Sequence, residues 1–269
     1  MSIYQELDYN SNISNVKGVQ FSIFSPDEIR RRSVAEIYTQ ETYENDKPKI
    51  GGLFDPRMGV LDYGKTCPTD KLDNRHSPGY FGHIELAQPV FNNHFMKYIV
   101  QTMKCVCWKC SKLLIDKDSP EVQNIKNKKG INKHSIVHSE LCSKIKRCGE
   151  KHNDGCGAPV PDLIRKDPNS IGKMILQFNN SEGKQQIFLT AKEVHKIFKR
   201  ITDEECEIMG FSRKFCRPDW LICSVFPVSP PSVRPSVRSD SNTRMEDDLT
   251  HKICDIIKTN RTLKTKLEN

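Results

Sequence analysis

The chain has 269 residues, a charged fraction of 28%, a formal net charge of +8 and a sequence pI near 8.9. No stretch approaches the roughly 18–20 apolar residues of a membrane-spanning helix, and the polar N-terminus lacks the apolar core of a secretory signal. We therefore expect a soluble, non-secreted protein without membrane contact. The basic balance favours polyanionic partners such as nucleic acid, although a solvated basic surface would carry the same charge.

The first half of the chain predicts two helices separated by long loops. "FSPDEIRRRSVAEI" predicts a helix with Ser25 as its N-cap and Glu28 closing a capping box. "PVFNNHFMKYIVQTMKCVC" predicts a second helix, whose apolar face begins at Phe91 and continues through Ile99. The polar, Lys/Asn-rich residues 116–135 then predict an excursion over the protein surface.

The second half predicts three helices and one buried strand. Two capping boxes, Thr190 with Glu193 and Thr202 with Glu205, mark the starts of successive helices. "WLICSVFPV" predicts a buried strand, and "SPPSVRPSVR" after it must be extended because proline disfavours helix. "LTHKICDIIKTN" predicts the last helix. Together these elements predict a mixed α+β fold that is rich in helix and has long loops.

Four of the eleven cysteines have the spacing of a metal site. Cys107 and Cys110 form a C-x-x-C turn, which places two thiolates on one side of a tight bend. Cys148 and Cys156 follow, and each precedes a glycine that permits a turn with backbone N–H groups near the sulfur. In a chain without an export signal, metal binding is favoured over a disulfide framework. Four thiolates would complete the coordination sphere of one structural Zn²⁺.

The competing interpretation is that these cysteines are ordinary core residues that cluster by chance. For two further cysteines the sequence favours this second interpretation. Cys142 is not followed by a glycine and Cys105 would form a C-x-C with Cys107, so either could be a thiol outside the metal site. Four others stand singly among apolar residues and predict plain core positions: Cys206, Cys216, Cys223 and Cys254. No nucleophile elbow, P-loop, H-E-x-x-H or G-x-G-x-x-G motif occurs, so catalysis by this chain alone is not expected.

A family resemblance rests on several segments that occur in order. They are "FSPDEIRRRSVAEI", "KIGGLFDPRMGVLD", "PGYFGHIELAQPVFN", "CVCWKCSKLLID", "GCGAPVPDLIRKD", "RPDWLICSVFPVSPPSVRPSV" and "EDDLTHK". Together they resemble the N-terminal region of the largest subunit of multisubunit DNA-directed RNA polymerases, of the eukaryotic or large-DNA-virus type. The resemblance runs from about Gly18 to Asn269.

The resemblance implies a clamp that closes over template DNA and the RNA–DNA hybrid, with the same four cysteines as ligands of a structural zinc. It implies a domain order, which begins with a tail that we expect to be disordered. The order is tail 1–17, first part of the clamp core 18–100, clamp head 101–235, lid-like loop 236–250 and the start of a returning clamp-core helix 251–269.

The lid-like loop carries the predicted nucleic-acid contacts. In the family this loop separates the emerging transcript from the template strand, and Arg244 and the acidic run at 246–248 match it. Arg234, Arg238 and Arg244 are therefore predicted to contact nucleic acid. Basic side chains that bind backbone phosphates hold nucleic acid without reading its sequence.

The stretch "KTCPTDKLDNRHSPGYFGH", residues 65–83, has the outline of a second zinc loop. The family places three cysteines and a histidine here, but the matching positions are Cys67, Asp70, Ser77 and Tyr80. Serine and tyrosine are rare zinc ligands, so the resemblance implies a degenerate site held by the packing of Tyr80 and Phe81 and by Gly/Pro turns. The alternative is a surviving metal site that uses two nearby histidines, His76 and His83.

The leading hypothesis is thus a clamp fragment of a polymerase subunit, with the rest of that subunit, the second-largest subunit and smaller subunits as partners. The family's catalytic Mg²⁺ loop has no counterpart here, so Mg²⁺ is expected only in the complete enzyme. The alternative is a free-standing zinc scaffold or interaction protein without polymerase activity. A cellular version would be nuclear, whereas one from a large DNA virus would work in host cytoplasm or be packaged in the virion.

Overall fold

The computed structural model describes residues 16–45, 47–125, 130–151, 154–180, 183–238 and 244–269. The first fifteen residues of the predicted tail and residues 239–243 of the lid-like loop lie outside this part of the chain. In the described part, no helix is long and apolar enough to cross a membrane.

The helices follow the chain from a short N-terminal helix to a long C-terminal one. The helix at Gly130–Ile136 continues into a π-helical turn at Val137–Cys142. Their bounds are α1 Pro26–Arg32, α2 Met96–Cys105, α3 Pro120–Ile125, α4 Gly130–Ile136, α5 Ala191–Lys199, α6 Asp203–Ile208 and α7 Asp248–Glu268.

The strands form small separate sheets. Their bounds are β1 Ala35–Glu36, β2 Tyr43–Glu44, β3 Lys47–Pro48, β4 Gly82–Phe91, β5 Leu163–Lys166, β6 Lys173–Asn180, β7 Gly183–Thr190, β8 Ile222–Val228, β9 Val237–Arg238 and β10 Arg244–Met245. One sheet has the order β1-β4-β8 and another the order β5-β6-β7, while β2–β3 and β9–β10 are two-stranded ribbons. Strand β4 pairs antiparallel with β8, and the register shifts between Glu85 and Val90.

Most of the described buried apolar residues fall into two clusters. The larger packs α2, α5 and the β5–β7 sheet around the segment that carries Cys107 and Cys148. The smaller packs α7, through Ile253 and Ile257, against β1, β4 and β8. The structure therefore confirms the predicted mixture of helices and strands, and it shows that the sheets are small.

Local sequence signals predicted the C-terminal helices well. Thr190 with Glu193 and Thr202 with Glu205 form complete capping boxes at the starts of α5 and α6. Gly210 follows α6 with a φ of +89°, a conformation that favours glycine. The predicted strand is β8, and the predicted last helix is α7, which continues to Glu268.

The N-terminal predictions needed two corrections. Ser25 accepts a hydrogen bond from the Glu28 N–H at 3.1 Å, as predicted for an N-cap. The Glu28 carboxylate does not complete the box, however, because it accepts from Nη2 of Arg32 at 2.8 Å. Phe91 ends strand β4 instead of starting a helix, and α2 begins only at Met96.

The predicted surface excursion at residues 116–135 needs a partial correction, and its residues 126–129 lie outside the described part of the chain. Within the described residues, this segment contains α3 and the first part of α4. Val122 and Ile125 of α3 are buried in the larger cluster, and His134 of α4 is also buried. Apolar residues at two positions of a short helix are enough to bury one face, although the composition around them is polar.

Candidate metal centre

The first cysteine pair lies in a tight turn that follows α2. The N–H of Cys107 donates to the Lys112 carbonyl at 2.8 Å, and the N–H of Ser111 donates to the Cys107 carbonyl at 2.9 Å. Ser111 has a φ of +65°, and Val106 and Leu113 form an antiparallel bridge across the turn. This knuckle brings the thiols of Cys107 and Cys110 to one side.

The second pair lies in a similar bend. The N–H of Cys148 donates to the Ala158 carbonyl at 2.9 Å, and the N–H of Gly157 donates to the Cys148 carbonyl at 3.0 Å. The glycines after the two cysteines, Gly149 and Gly157, have φ values of +90° and +70°, as expected for positions that require left-handed backbone.

The four thiols come together at distances that suit a tetrahedral metal. Sγ of Cys107 lies 3.5 Å from Sγ of Cys156, and Sγ of Cys110 lies 3.6 Å from Sγ of Cys148. All four sulfurs lie within 4.8 Å of one another. A tetrahedron with Zn–S bonds of about 2.3 Å has edges of about 3.8 Å, whereas a disulfide bond is about 2.05 Å long. The donor set therefore fits Zn²⁺ and does not form disulfides.

Burial and hydrogen bonding set the thiol pKa values in opposite directions. Burial raises the pKa of Cys107 and of Cys148. Burial also acts to raise the pKa of the exposed Cys156, but hydrogen bonds from the Ala158 N–H and the neighbouring thiols lower it to about 7. A bound divalent cation would favour the thiolate at all four positions, since metal ligation requires deprotonated cysteine.

Hydrogen bonds around the cysteine cluster join the first knuckle to the second and to helix α6. Nε1 of Trp108 donates to the Pro159 carbonyl at 3.1 Å and so joins the first knuckle to the second. Nζ of Lys112 donates to the Asp154 carbonyl at 2.9 Å. Oε1 of Glu205 accepts the Leu113 N–H at 3.1 Å, which ties the first knuckle to α6. The sequence pattern identified Glu205 as a helix cap but not as a support of the metal centre.

The other cysteines do not join the cluster among the described residues. Cys105 and Cys142 are both buried, and Sγ of Cys142 lies 4.0 Å from the carbonyl oxygen of Cys105. Of the four predicted core cysteines, Cys206 is buried and the other three are half-buried.

The loop after Thr66 repeats the backbone of the first knuckle. The N–H of Cys67 donates to the Leu72 carbonyl at 2.8 Å, and the N–H of Lys71 donates to the Cys67 carbonyl at 2.8 Å. Lys71 has a φ of +63°, and Thr66 bridges to Asp73 as Val106 bridges to Leu113. Asp70 therefore occupies the position that Cys110 occupies in the metal-type knuckle.

The four positions matched to the family's second zinc are linked through one carboxylate. Asp70 accepts the Leu72 N–H at 2.9 Å, the Ser77 hydroxyl at 2.7 Å and the Tyr80 hydroxyl at 3.1 Å. Desolvation acts to raise the pKa of Asp70, but these hydrogen bonds, with one from Cys67, lower it. We call Cys67, Asp70, Ser77 and Tyr80 the Asp70 knuckle.

Two expectations about this loop change. Packing by Phe81 does not hold it, because that side chain is 52% exposed, and Tyr80 acts through its hydroxyl group. The two histidines have other partners, since Nδ1 of His76 lies 2.5 Å from Asp73 and Nδ1 of His83 lies 2.8 Å from the Ser33 hydroxyl.

Arg234 does not occupy the position expected for a phosphate contact. Its side chain is 0% exposed, and its Nε donates to the Ser229 carbonyl at 3.0 Å. Its terminal nitrogens donate to the Leu53 carbonyl and to the Thr250 hydroxyl, and the guanidinium lies 5.3 Å from the Phe54 ring centroid. Burial lowers its pKa to about 10, so the group stays charged near neutrality. In this conformation the guanidinium is structural.

The remaining two predicted contact residues lie in a two-stranded antiparallel ribbon. Arg238 of β9 and Arg244 of β10 are register partners across the antiparallel ribbon, and Val237 pairs with Met245. The ribbon brings the backbones of the two arginines together, and residues 239–243 between them lie outside the described part of the chain.

Comparison with known proteins identifies the relatives of this chain. The family model described as RNA polymerase Rpb1, domain 1, matches residues 13–269. The DNA-directed RNA polymerase II subunit RPB1 of Euplotoides octocarinatus is 36% identical over 263 residues, which cover 95% of this chain and 55% of that protein. The chain therefore spans about half the length of this relative.

Proposed function

We propose, from the premise that this chain belongs to the RNA polymerase Rpb1 domain 1 family, that it is the clamp part of a polymerase largest subunit. In this role it closes over template DNA and the RNA–DNA hybrid during transcription. The observation that carries the proposal is the match of the family model to residues 13–269.

The proposed roles of the segments follow the predicted domain order. Residues 18–100 form the first part of the clamp core, residues 101–235 the clamp head, residues 236–250 the lid and residues 251–269 a returning clamp-core helix. The β9–β10 ribbon supports the lid assignment, because it is a two-stranded stem that holds Arg238 and Arg244 opposite each other. Both arginines are proposed to contact backbone phosphates.

The proposed cofactor of this region is one structural Zn²⁺ on Cys107, Cys110, Cys148 and Cys156. When bound, the metal supplies a cross-link between the two knuckles and no open coordination position for chemistry. Nucleotide addition is proposed to belong to the complete polymerase, in which an aspartate-rich loop without a counterpart in this sequence would hold the reactive Mg²⁺. The proposed partners are the rest of the largest subunit, the second-largest subunit, smaller subunits, template DNA and the hybrid.

The proposed location is the nucleus, and the name of the Euplotoides octocarinatus relative, a subunit of RNA polymerase II, supports it. If the chain comes from a large DNA virus, the corresponding locations are host cytoplasm or the virion.

A pull-down separates the clamp from a free-standing zinc scaffold. The tagged chain should retain the second-largest subunit and the remainder of its own subunit from a lysate of the source organism. A scaffold protein would retain neither.

In the assembled enzyme, Arg238→Ala with Arg244→Ala should weaken retention of nucleic acid equally on templates of different sequence, and the effect should shrink at high salt. Arg165→Ala, an exposed arginine of β5, is the matched control. A loss that depends on base sequence would contradict phosphate contact.

A further inference from the structure

The side-chain amide of Asn260, in helix α7, pairs with the backbone of strand β4. Its Nδ2 donates to the Glu85 carbonyl at 2.8 Å, and its Oδ1 accepts the Ala87 N–H at 2.8 Å. A carbonyl only accepts and a backbone N–H only donates, so these two partners fix which end of the amide carries the nitrogen. The two bonds span one residue of β4, as the bonds from a residue of a neighbouring parallel strand would.

This pairing lies at a point where β4 loses its strand partners. The register with β8 shifts directly after Glu85. On the other edge β1 pairs with the start of β4, and the last bond there runs from the Ile37 N–H to the His83 carbonyl at 2.8 Å. Peptide groups of a strand point to alternate edges, so the Glu85 carbonyl faces the same edge as that of His83. Asn260 therefore extends the ladder of β1 by one position and satisfies backbone groups that need a partner.

The amide adds a directional contact to the apolar packing that holds α7. Thr250 is 0% exposed, and Ile253 and Ile257 pack in the smaller apolar cluster. Apolar packing is non-directional, whereas two hydrogen bonds to a fixed strand require one orientation of the amide. Asn260 lies about 15 Å from Thr250 along the helix, at 1.5 Å per residue, and residues 261–268 after it are all exposed. The amide therefore sets the rotation of α7 at the end of its contact with the body.

The start of α7 is also the end of the lid. Only Glu246 and Asp247 separate β10 from the first helical residue, Asp248. The direction of the helix therefore determines where this end of the β9–β10 ribbon lies.

We propose that Asn260 is a positioning residue for the lid: its amide takes the place of a strand residue beside β4 and so fixes α7, from which the β9–β10 ribbon departs. The effect on the lid rests on the proposed function, whereas the pairing with β4 does not.

Amide hydrogen exchange on the full chain tests the pairing. Asn260→Ala leaves the Ala87 N–H and the Glu85 carbonyl without their partner, so exchange at Ala87 should rise on the order of tenfold. Thr262→Ala is the matched control, because it truncates an exposed side chain of the same helix, and exchange at Ala87 should not change. Wild-type exchange at Ala87 in Asn260→Ala would overturn the proposal.

Asn260→Asp separates the hydrogen bonds from the volume of the side chain. At neutral pH its carboxylate has no donor for the Glu85 carbonyl, so exchange at Ala87 should be faster than in the wild type. A protonated carboxyl group again offers one donor and one acceptor. Exchange corrected for intrinsic rates should therefore return toward the wild-type value as the pH falls through the pKa of the new group, about 4.

Other ionisable groups near this point are the same in every variant. Glu85 of β4 lies 2.6 Å from Arg30 of α1 and 3.7 Å from His83, and exposed Arg261 follows Asn260 on α7. Asn260→Ala retains all of these groups but cannot regain a donor, so its exchange at low pH should show no recovery. Equal pH dependence in Asn260→Ala and Asn260→Asp would overturn the role of the amide.

Transcript displacement in the assembled polymerase tests the effect on the lid. Asn260→Ala should lengthen the RNA–DNA hybrid and reduce displacement by a larger factor than it slows nucleotide addition, whereas Thr262→Ala should change neither. Nuclease mapping of the hybrid measures displacement, and single-nucleotide extension measures addition. Normal displacement, or an equal loss of both, would overturn the positioning role. Because the exchange experiments need no partner, a failed pull-down would contradict the proposed function and leave the result for the pairing in place.

Discussion

The hydroxyl group of Ser77 donates a 2.7 Å hydrogen bond to the carboxylate of Asp70. In the backbone pattern of the first knuckle, the position of Asp70 is that of the metal-type ligand Cys110. A carboxylate that accepts several hydrogen bonds connects the same segments that a bound metal would connect. The Asp70 knuckle therefore keeps its backbone form through hydrogen bonds.

Loss of the Asp70 carboxylate should loosen the knuckle more than loss of any one partner. Asp70→Ala removes the acceptor of the Leu72 N–H, the Ser77 hydroxyl and the Tyr80 hydroxyl together. Amide hydrogen exchange at Leu72 should therefore rise further in Asp70→Ala than in Ser77→Ala or Tyr80→Phe. Equal exchange in the three variants would contradict the central role of the carboxylate.

The same knuckle should weaken in acid. The folded pKa of Asp70 is lowered, so its contribution to stability is fully present above the unfolded value, about 3.9. The contribution is lost as the pH falls through the lower folded value. Amide exchange that is corrected for intrinsic rates should show loosening of residues 67–80 below about pH 4. In Asp70→Asn this part of the pH dependence should disappear.

Removal of the Arg234 side chain should cost stability. Arg234→Ala leaves the Leu53 and Ser229 carbonyls without their donor and opens a cavity, so we expect a loss of about 2–4 kcal/mol. Arg234→Lys should restore only part of it, because one ammonium group cannot reproduce the planar fork. Denaturant unfolding measures both variants, with Arg165→Ala as the control that should change stability by about 0.5 kcal/mol or less. Unchanged stability with weakened nucleic-acid retention would instead place Arg234 at a phosphate.

The burial of Arg234 could not be predicted from the sequence. Its hydrogen-bond partner Leu53 lies 181 residues away in the chain, and no local sequence pattern indicates a contact between residues so far apart. The capping boxes at Thr190 and Thr202 were predictable because all their atoms lie within one helical turn. The cysteine cluster was predictable because ligand spacing and the following glycines are themselves local features. Phe91 was misassigned because pairing of β4 with β8 outweighs the helical period there.

The two capping boxes allow a glutamate that only caps a helix to be compared with one that also binds a second segment. Glu193 caps α5 on the surface, whereas Glu205 is buried, caps α6 and also accepts the Leu113 N–H. We expect Glu193→Ala to cost about 1 kcal/mol, as for an ordinary cap, and Glu205→Ala to cost about 2–4 kcal/mol because a buried donor is left unpaired. Denaturant unfolding of both variants checks the difference. Equal costs would show that the hydrogen bond from Leu113 to Glu205 adds nothing measurable to the stability of the fold.

The chain should bind one zinc and not two. Cys107, Cys110, Cys148 and Cys156 supply four thiols at tetrahedral distances, whereas the Asp70 knuckle supplies one thiol and satisfies its carboxylate with hydroxyl groups. Structural zinc contributes on the order of 10 kcal/mol of apparent binding free energy, so Cys148→Ser should release the metal and unfold the region around the two knuckles. Cys67→Ser should cost about 1–2 kcal/mol, as for an ordinary buried substitution, and should leave the zinc content unchanged. Elemental analysis should give close to one zinc per chain, and a ratio near two that falls to one in Cys67→Ser would show that the Asp70 knuckle holds a metal.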